Sequence, residues 1–238
     1  MIVRNSVRAS WADGPLCGLD TETSDADPAT ARIITASLVT DVPGREPVAQ
    51  EWILRCPVPI KLDATAVHGM DNEYADKHGS DPAQGIAEII DALAQVEYPL
   101  VLVNCAFDLT ILVNEAQRYG LDARPVINRL HIIDTLVCDR MLDPWRRGRR
   151  TLTAVSASYG IAIRGAHTAT GDVLCAIRLA RAMGQKYPAQ FGCADLSRLQ
   201  ARQRDAYQAW STEFRDYRRA DNEPDFDLNT DWPYQNSR

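Results

Sequence analysis

Residues 16–23, Leu16-Cys17-Gly18-Leu19-Asp20-Thr21-Glu22-Thr23, restrict the fold more than any other stretch. The apolar start reads as a short buried strand, and the strand ends in two carboxylates. Side chains alternate between the faces of a strand, so Asp20 and Glu22, two apart, point the same way. Like charges on one face repel unless a cation lies between them. Hard divalent ions such as Mg²⁺ favour carboxylate oxygens of this kind. An isolated D-x-E is more often a solvated acidic strand end. The metal reading therefore depends on carboxylates that arrive from elsewhere.

Around this strand the pattern is that of an α/β chain. Residues 32–40 and 48–54 read as further strands joined by the short turn 41–47, which favours antiparallel pairing and a three-stranded meander. Asp81-Pro82 opens a helix by cap and first-turn proline, and Ile86, Ile89, Ile90 and Leu93 give it one apolar face. Residues 100–103 form a fully apolar strand, of the kind buried on both faces. The helix that follows is packed by Leu109, Leu112 and Val113 and ends at Gly120. Residues 131–134 read as a fifth strand. Helices are expected over 151–159, over 169–183 with Gly184 as the stop, and over 195–220 as a long amphipathic segment clamped on the core. The tail from 221 alternates acids with aromatic rings, and is either disordered or packed against the body.

At 238 residues one large domain is the default. It is expected to span 1–238, with a core over about 14–184 and the C-terminal helix and acidic tail over about 190–238. No apolar run approaches a membrane span, and the first residues lack the apolar core of a signal peptide. Six cysteines without C-x-x-C spacing fit a reduced, cytoplasmic setting without structural zinc. A net charge of −6 argues against non-specific coating of nucleic acid, not against gripping a chain end at one local site.

Two further carboxylates are candidates. Asp108 lies just past the apolar strand 100–103, where a parallel sheet presents its ligands; a dipole partner at a helix N-terminus is the plain alternative. Asp172 falls near the start of the helix that begins at 169, with His167 five residues before it. What matters is their order: D-x-E on the first strand, N-x-x-F-D after the fourth, H-x-x-x-x-D opening a late helix.

In that order the chain resembles the DnaQ-like family of 3′→5′ exonucleases, the group with four acids and a histidine (DEDDh). The first motif matches Leu19-Asp20-Thr21-Glu22-Thr23, the second Asn104-Cys105-Ala106-Phe107-Asp108, and the third His167-Thr168-Ala169-Thr170-Gly171-Asp172. Val67-His68-Gly69-Met70 resembles a family segment beside the terminal nucleotide. Arg149-Arg150-Thr151-Leu152 with Tyr159-Gly160 resembles the approach to the third motif. Together the motifs are specific, although no single one is. Ser24 departs from the family, which often has Gly there. The long helix and acidic tail resemble the C-terminal extension of actinobacterial and phage exonucleases.

The resemblance implies a ribonuclease H-like fold, a mixed five-stranded sheet of antiparallel meander plus parallel strands flanked by helices. It implies hydrolysis of single-stranded nucleic acid from 3′ ends, DNA preferred, to nucleoside 5′-monophosphates, in proofreading or repair, with two divalent ions, Mg²⁺ or Mn²⁺. Asp20 would bridge both ions, Glu22 and Asp172 would complete one site, and Asp108 would serve the other. His167 would be the general base. Thr23, His68 and Phe107 are candidates for packing the last nucleotide. Arg140, Arg146, Arg147, Arg149 and Arg150 form a basic cluster, either phosphate contacts, chiefly Arg149 and Arg150, or a solvated loop. An exoribonuclease of the same fold and a non-catalytic scaffold are the rival readings. A polymerase partner, if any, would act in trans, because no polymerase segment is visible.

Overall fold

Alternation along the first strand decides the layering. The computed structural model describes residues 10–162 and 168–235. It opens with β1 (Leu16–Thr23), β2 (Ile33–Asp41) and β3 (Val48–Ile53), each antiparallel to the one before. Helices α1 (Leu62–His68), α2 (Asn72–His78) and α3 (Pro82–Ala94) follow. Strand β4 (Leu100–Leu102) leads into α4 (Cys105–Arg118), and the single turn α5 (Arg124–Ile127) precedes β5 (Ile132–Asp134). The remainder is helical: α6 (Thr135–Leu142), α7 (Leu152–Ser158), α8 (Ala169–Lys186) and α9 (Leu196–Ala220). The sheet order is β3-β2-β1-β4-β5, with β4 and β5 parallel to their neighbours. This is the mixed five-stranded sheet expected from the sequence.

β1 sits in the centre and feeds both layers. Leu16 packs with Val173, Ala176 and Ile177 of α8 on one face. Cys17 and Leu19 pack with α3 and α4 residues such as Ile86 and Leu109 on the other. Gly18 belongs to the α8 face, where a Cβ would lie 2.6 Å from Val173 Cγ1 and 3.1 Å from Ile177. Its missing side chain lets α8 lie close against the strand. By the same alternation Asp20 and Glu22 point to the α8 side, and Thr21 to the α4 side.

Local chemistry sets the helix ends. Asp81 accepts a hydrogen bond from Gln84 N–H at 3.1 Å, with Pro82 in the first turn, as the sequence predicts. Thr168 caps α8 by accepting from Gly171 N–H at 3.2 Å. The predicted stop at Gly184 is not where α8 ends; the helix continues to Lys186. Gly184 is a packing residue, since a Cβ there would lie 2.4 Å from Ala12 Cβ in the 3₁₀ turn Trp11–Asp13. Of the two readings of the tail, packing holds: Trp232 is buried in the core and Gln235 N–H donates to Thr110 Oγ1 at 2.8 Å. No helix among the described residues is long and apolar enough to cross a membrane.

The long helix α9 closes the sheet. An edge strand leaves backbone groups unpaired, and two glutamines of α9 take them up on β5. Ile132 N–H donates to Gln200 Oε1 at 3.0 Å, and Asp134 N–H to Gln203 Oε1 at 2.7 Å. Gln203 Nε2 donates in return to Ile132 O at 2.8 Å. Side-chain amides thus stand in for a sixth strand.

Gln203 is fully buried, so Gln203→Leu leaves two backbone groups unmet. Each unmet buried group costs about 1–3 kcal/mol, so a loss of about 2–6 kcal/mol is expected in urea denaturation. A change below 0.5 kcal/mol, the ~0.5 kcal/mol scatter of surface substitutions, would mean that β5 does not depend on α9.

Candidate active site

Three carboxylates meet where β1 ends and α8 begins. Asp20, Glu22 and Asp172 each offer an oxygen, and these atoms all lie within 4.8 Å of one another. Strand periodicity supplies the first two. Asp172 comes from the first turn of α8, which Gly18 lets settle against β1. Further contacts fix that turn. Ser37, paired with Asp20 across β1 and β2, has its hydroxyl 2.7 Å from Thr170 Oγ1, and Thr170 also hydrogen-bonds Glu51 of β3.

Asp108 approaches from the other face of the sheet. It is buried in the first turn of α4. Its Oδ1 accepts the Thr21 hydroxyl at 2.6 Å and Thr21 N–H at 3.2 Å. Thr21, the middle residue of D-T-E, is therefore part of the site, a role that sequence reading misses. The only signal was a hydroxyl on the face opposite the two acids.

The electrostatics follow from this crowding. Burial first, then the Asp108, Glu22 and Asp172 charges, raise the Asp20 pKa well above the ordinary carboxylate range. Glu22 is raised to about 7 by burial and by Asp172 and Asp108. Asp108 is raised to about 7 chiefly by burial, against the Thr21 hydrogen bonds that lower it. An all-oxygen donor set with converging negative charge fits a hard divalent ion: it would neutralise groups that otherwise keep their protons. Asp20, Glu22 and Asp172 are the residues that would hold it, with Asp108 on the far side of β1.

Two clefts flank the carboxylates. One of about 290 Å³ is lined by Thr23, Ala64, Val67, His68 and Phe107, and so unites the three residues expected to pack a terminal nucleotide. The other, of about 410 Å³, is lined by Glu22, Trp52, His68, Met70, Tyr74 and Thr168. His68 stands between them with a fixed ring. Met70 N–H donates to Nδ1 at 3.1 Å, which assigns the proton to Nε2, 3.2 Å from Thr23 O. Burial lowers the His68 pKa, so the ring is neutral near pH 7. Thr23 turns its own hydroxyl to Asp25 O at 2.8 Å. Ser24 ties the loop after β1, its Oγ accepting Arg32 N–H at 2.9 Å.

The basic cluster divides. Arg146 and Arg150 both pair with Asp139, which is fully buried, Arg146 at 2.7 Å. Arg140 lies 3.6 Å over the Trp210 ring. These three brace the fold, Arg150 partly buried against Asp139, whereas Arg147 and Arg149 are exposed. His167 lies outside the described residues.

No family model and no curated protein matches the sequence. Solved structures of exonuclease I are similar in fold. The Escherichia coli protein in complex with a dT13 oligonucleotide has a TM-score of 0.66 at 18% identity, over 75% of this chain and 42% of that one. A zinc-bound E. coli exonuclease I complex with single-stranded DNA has a TM-score of 0.65 at 18% identity, with the same 75% and 42%. The moderately thermophilic exonuclease I of Methylocaldum szegediense has a TM-score of 0.63 at 21% identity, again over 75% and 42%. This chain thus spans less than half the length of those proteins, and the shared property is the ribonuclease H-like fold.

The raised carboxylates set a pH dependence. Folding raises the pKa values of Glu22 and Asp108 to about 7, so the folded chain binds more protons than the unfolded one up to that pH. The metal-free protein therefore loses stability as pH rises from about 4 to about 7, and a divalent ion restores it above 7. In thermal melts Mn²⁺ should raise Tm on the order of 5 °C more at pH 8 than at pH 5, the effect of about 2 kcal/mol on a chain of this size. Equal shifts at both pH values would remove the cluster as the binding site.

Proposed function

We propose that this chain is a metal-dependent 3′→5′ exonuclease that releases nucleoside 5′-monophosphates from single-stranded DNA. The observation that carries this reading is the convergence of Asp20, Glu22 and Asp172 within one ligand sphere, with Asp108 held behind them by Thr21. That geometry suits phosphodiester hydrolysis, where negative charge grows on both the attacking and the leaving oxygen. The likeness to exonuclease I complexes with single-stranded DNA supports DNA as the substrate.

In this reading Asp20, Glu22 and Asp172 hold divalent metal, Mg²⁺ or Mn²⁺, and Asp108 completes the set. Two bound ions would supply Lewis-acid stabilisation of both oxygens. Water attacks the phosphorus between the last two nucleotides, and the bond to the 3′ oxygen of the penultimate one breaks. His167, which directly precedes Thr168 in sequence, takes the proton from that water; imidazole titrates near working pH. Phe107, Thr23 and the fixed neutral ring of His68 pack the terminal nucleotide in the smaller cleft. Stacking of that kind accepts every base.

Digestion of matched single-stranded DNA, duplex DNA and RNA with Mg²⁺, read by product length and nucleotide identity, tests the substrate and polarity. Asp20→Ala and Asp172→Ala should abolish release while the fold survives, because removing a carboxylate relieves repulsion. Full activity in chelator would falsify the reading. His167→Gln should leave Mn²⁺ affinity near wild type while kcat falls on the order of 10²–10⁴-fold, the usual contribution of a general base. If metal affinity falls in step with kcat, His167 belongs to the metal set instead.

A further inference from the structure

We propose that the loop between α6 and α7, residues 143–151, is a landing site for the upstream part of a single-stranded nucleic acid: Trp145 stacks on a base, and Arg147 and Arg149 contact phosphates. The proposal rests on the nuclease reading above and extends it to a surface away from the carboxylates.

Trp145 is 89% exposed. A bare indole is unfavourable in water, and a loop of loose chain would let it fold back onto apolar surface. This loop is not loose. Arg146 places Nε 2.9 and 3.0 Å from the two oxygens of Asp139, and Arg150 pairs with the same carboxylate. Asp139 is fully buried in α6. Arg150 also donates to Asp143 O at 2.7 Å and Pro144 O at 3.1 Å, fixing the backbone just before Trp145. Breaking one partner of a buried ion pair is strongly unfavourable, so the loop is held with its indole outward. Gly148, at φ +91°, turns the chain between Arg147 and Arg149 and separates the two exposed guanidiniums.

Charge and chemistry select the occupant. The chain carries −6 overall, yet this loop presents two unburied arginines beside an aromatic face. Its acid, Asp143, lies 3.7 Å from Arg146 and is offset by it. Aromatic rings interleaved with cations bind single strands, because every base has a π face and every link a phosphate. An acidic peptide would satisfy the arginines and leave the indole without a flat partner.

The position sets a length requirement. Arg146 lies 5.9 Å from the Tyr159 ring, and Lys186, at the end of α8, lies 4.8 Å from the same ring. Lys186 is fourteen residues along α8 from Asp172, about 21 Å by helical rise. A strand with its 3′ end at the carboxylates reaches the loop after about six stacked nucleotides, at ~3.4 Å each. Short substrates do not reach it.

Anisotropy of 5′-labelled dT12 and dT3 in chelator, against the full chain, tests this. Trp145→Ala should weaken dT12 binding at least fivefold, at the lower end of the ~1–3 kcal/mol per stacked base, with Trp145→Phe recovering most of it. The pair Arg147→Ala and Arg149→Ala should lower the salt slope for dT12 by about 1.4, at ~0.7 per phosphate on a single strand. Neither change should alter dT3 binding, nor turnover of the p-nitrophenyl ester of thymidine 5′-monophosphate. Unchanged dT12 affinity and salt slope in both variants overturn the proposal, as does an equal loss on dT3. If wild type hydrolyses neither dT12 nor the ester with Mg²⁺ or Mn²⁺, the nuclease reading fails, and the binding arm still decides the loop.

Discussion

The close seating of α8 on β1 is the contact on which the rest depends. A helix packed on a sheet normally stands off by the width of its side chains. At Gly18 that spacer is missing, and Val173 and Ile177 press where a Cβ would be. The first turn of α8 is thereby brought to the end of β1, and Asp172 meets Asp20 and Glu22. The raised pKa values record the cost, since the carboxylates are held together against their own repulsion. Hydrophobic burial along Leu16, Val173, Ala176 and Ile177 supplies the opposing term. Ser37 and Thr170 then fix the angle of the turn.

Support for Asp108 comes from further away. Asp134, at the end of β5, is fully buried and accepts four backbone N–H bonds. Two are from Asn104 and Cys105 at the start of α4, at 3.1 and 2.9 Å. Two are from Leu136 and Val137 at the start of α6, at 3.0 and 3.2 Å. One carboxylate thus anchors both helices at the sheet edge, and Gln203 of α9 holds the backbone of that same residue. The C-terminal helix is accordingly linked to the site through β5, although no residue of α9 lines either flanking cleft.

Much of this was legible in the sequence, for identifiable reasons. Period-two alternation places Asp20 and Glu22 together without knowledge of the sheet. Asp81-Pro82 and Gly120 mark helix ends by local backbone chemistry. What was not legible depends on residues distant in the chain. Thr21 meets Asp108 across 87 positions, and nothing local distinguishes that threonine. Gly184 carries the signature of a helix stop, but its neighbour Ala12 lies at the other end of the chain. The arginine cluster reads as a single basic run, whereas buried Asp139 divides it into braces and free groups. Gln203 lies on the buried face of α9 with Leu199 and Tyr207, and nothing local tells that this glutamine completes a sheet edge.

The division of the arginines bears on how an acidic chain engages a polyanion. Three carboxylates converging at the end of β1, with Asp108 behind them, repel a phosphate as long as they are ionised and unneutralised. In the proposed reaction the substrate strand therefore binds productively only after the divalent ions, whose charge offsets the carboxylates. Arg146 and Arg150 cannot soften that repulsion, because Asp139 and Asp143 together already offset their two charges. Among the described residues Arg147 and Arg149 carry no such tie, and their neighbour Arg146 faces the Tyr159 ring beside Lys186, about 21 Å along α8 from Asp172, more than the ~8 Å over which salt screens charges at physiological strength. In the proposed reaction, affinity for the strand and chemistry at its end are thus separated in space: Arg147 and Arg149 would hold upstream phosphates, and the crowded carboxylates, with metal bound, would serve the hydrolysis of the last one.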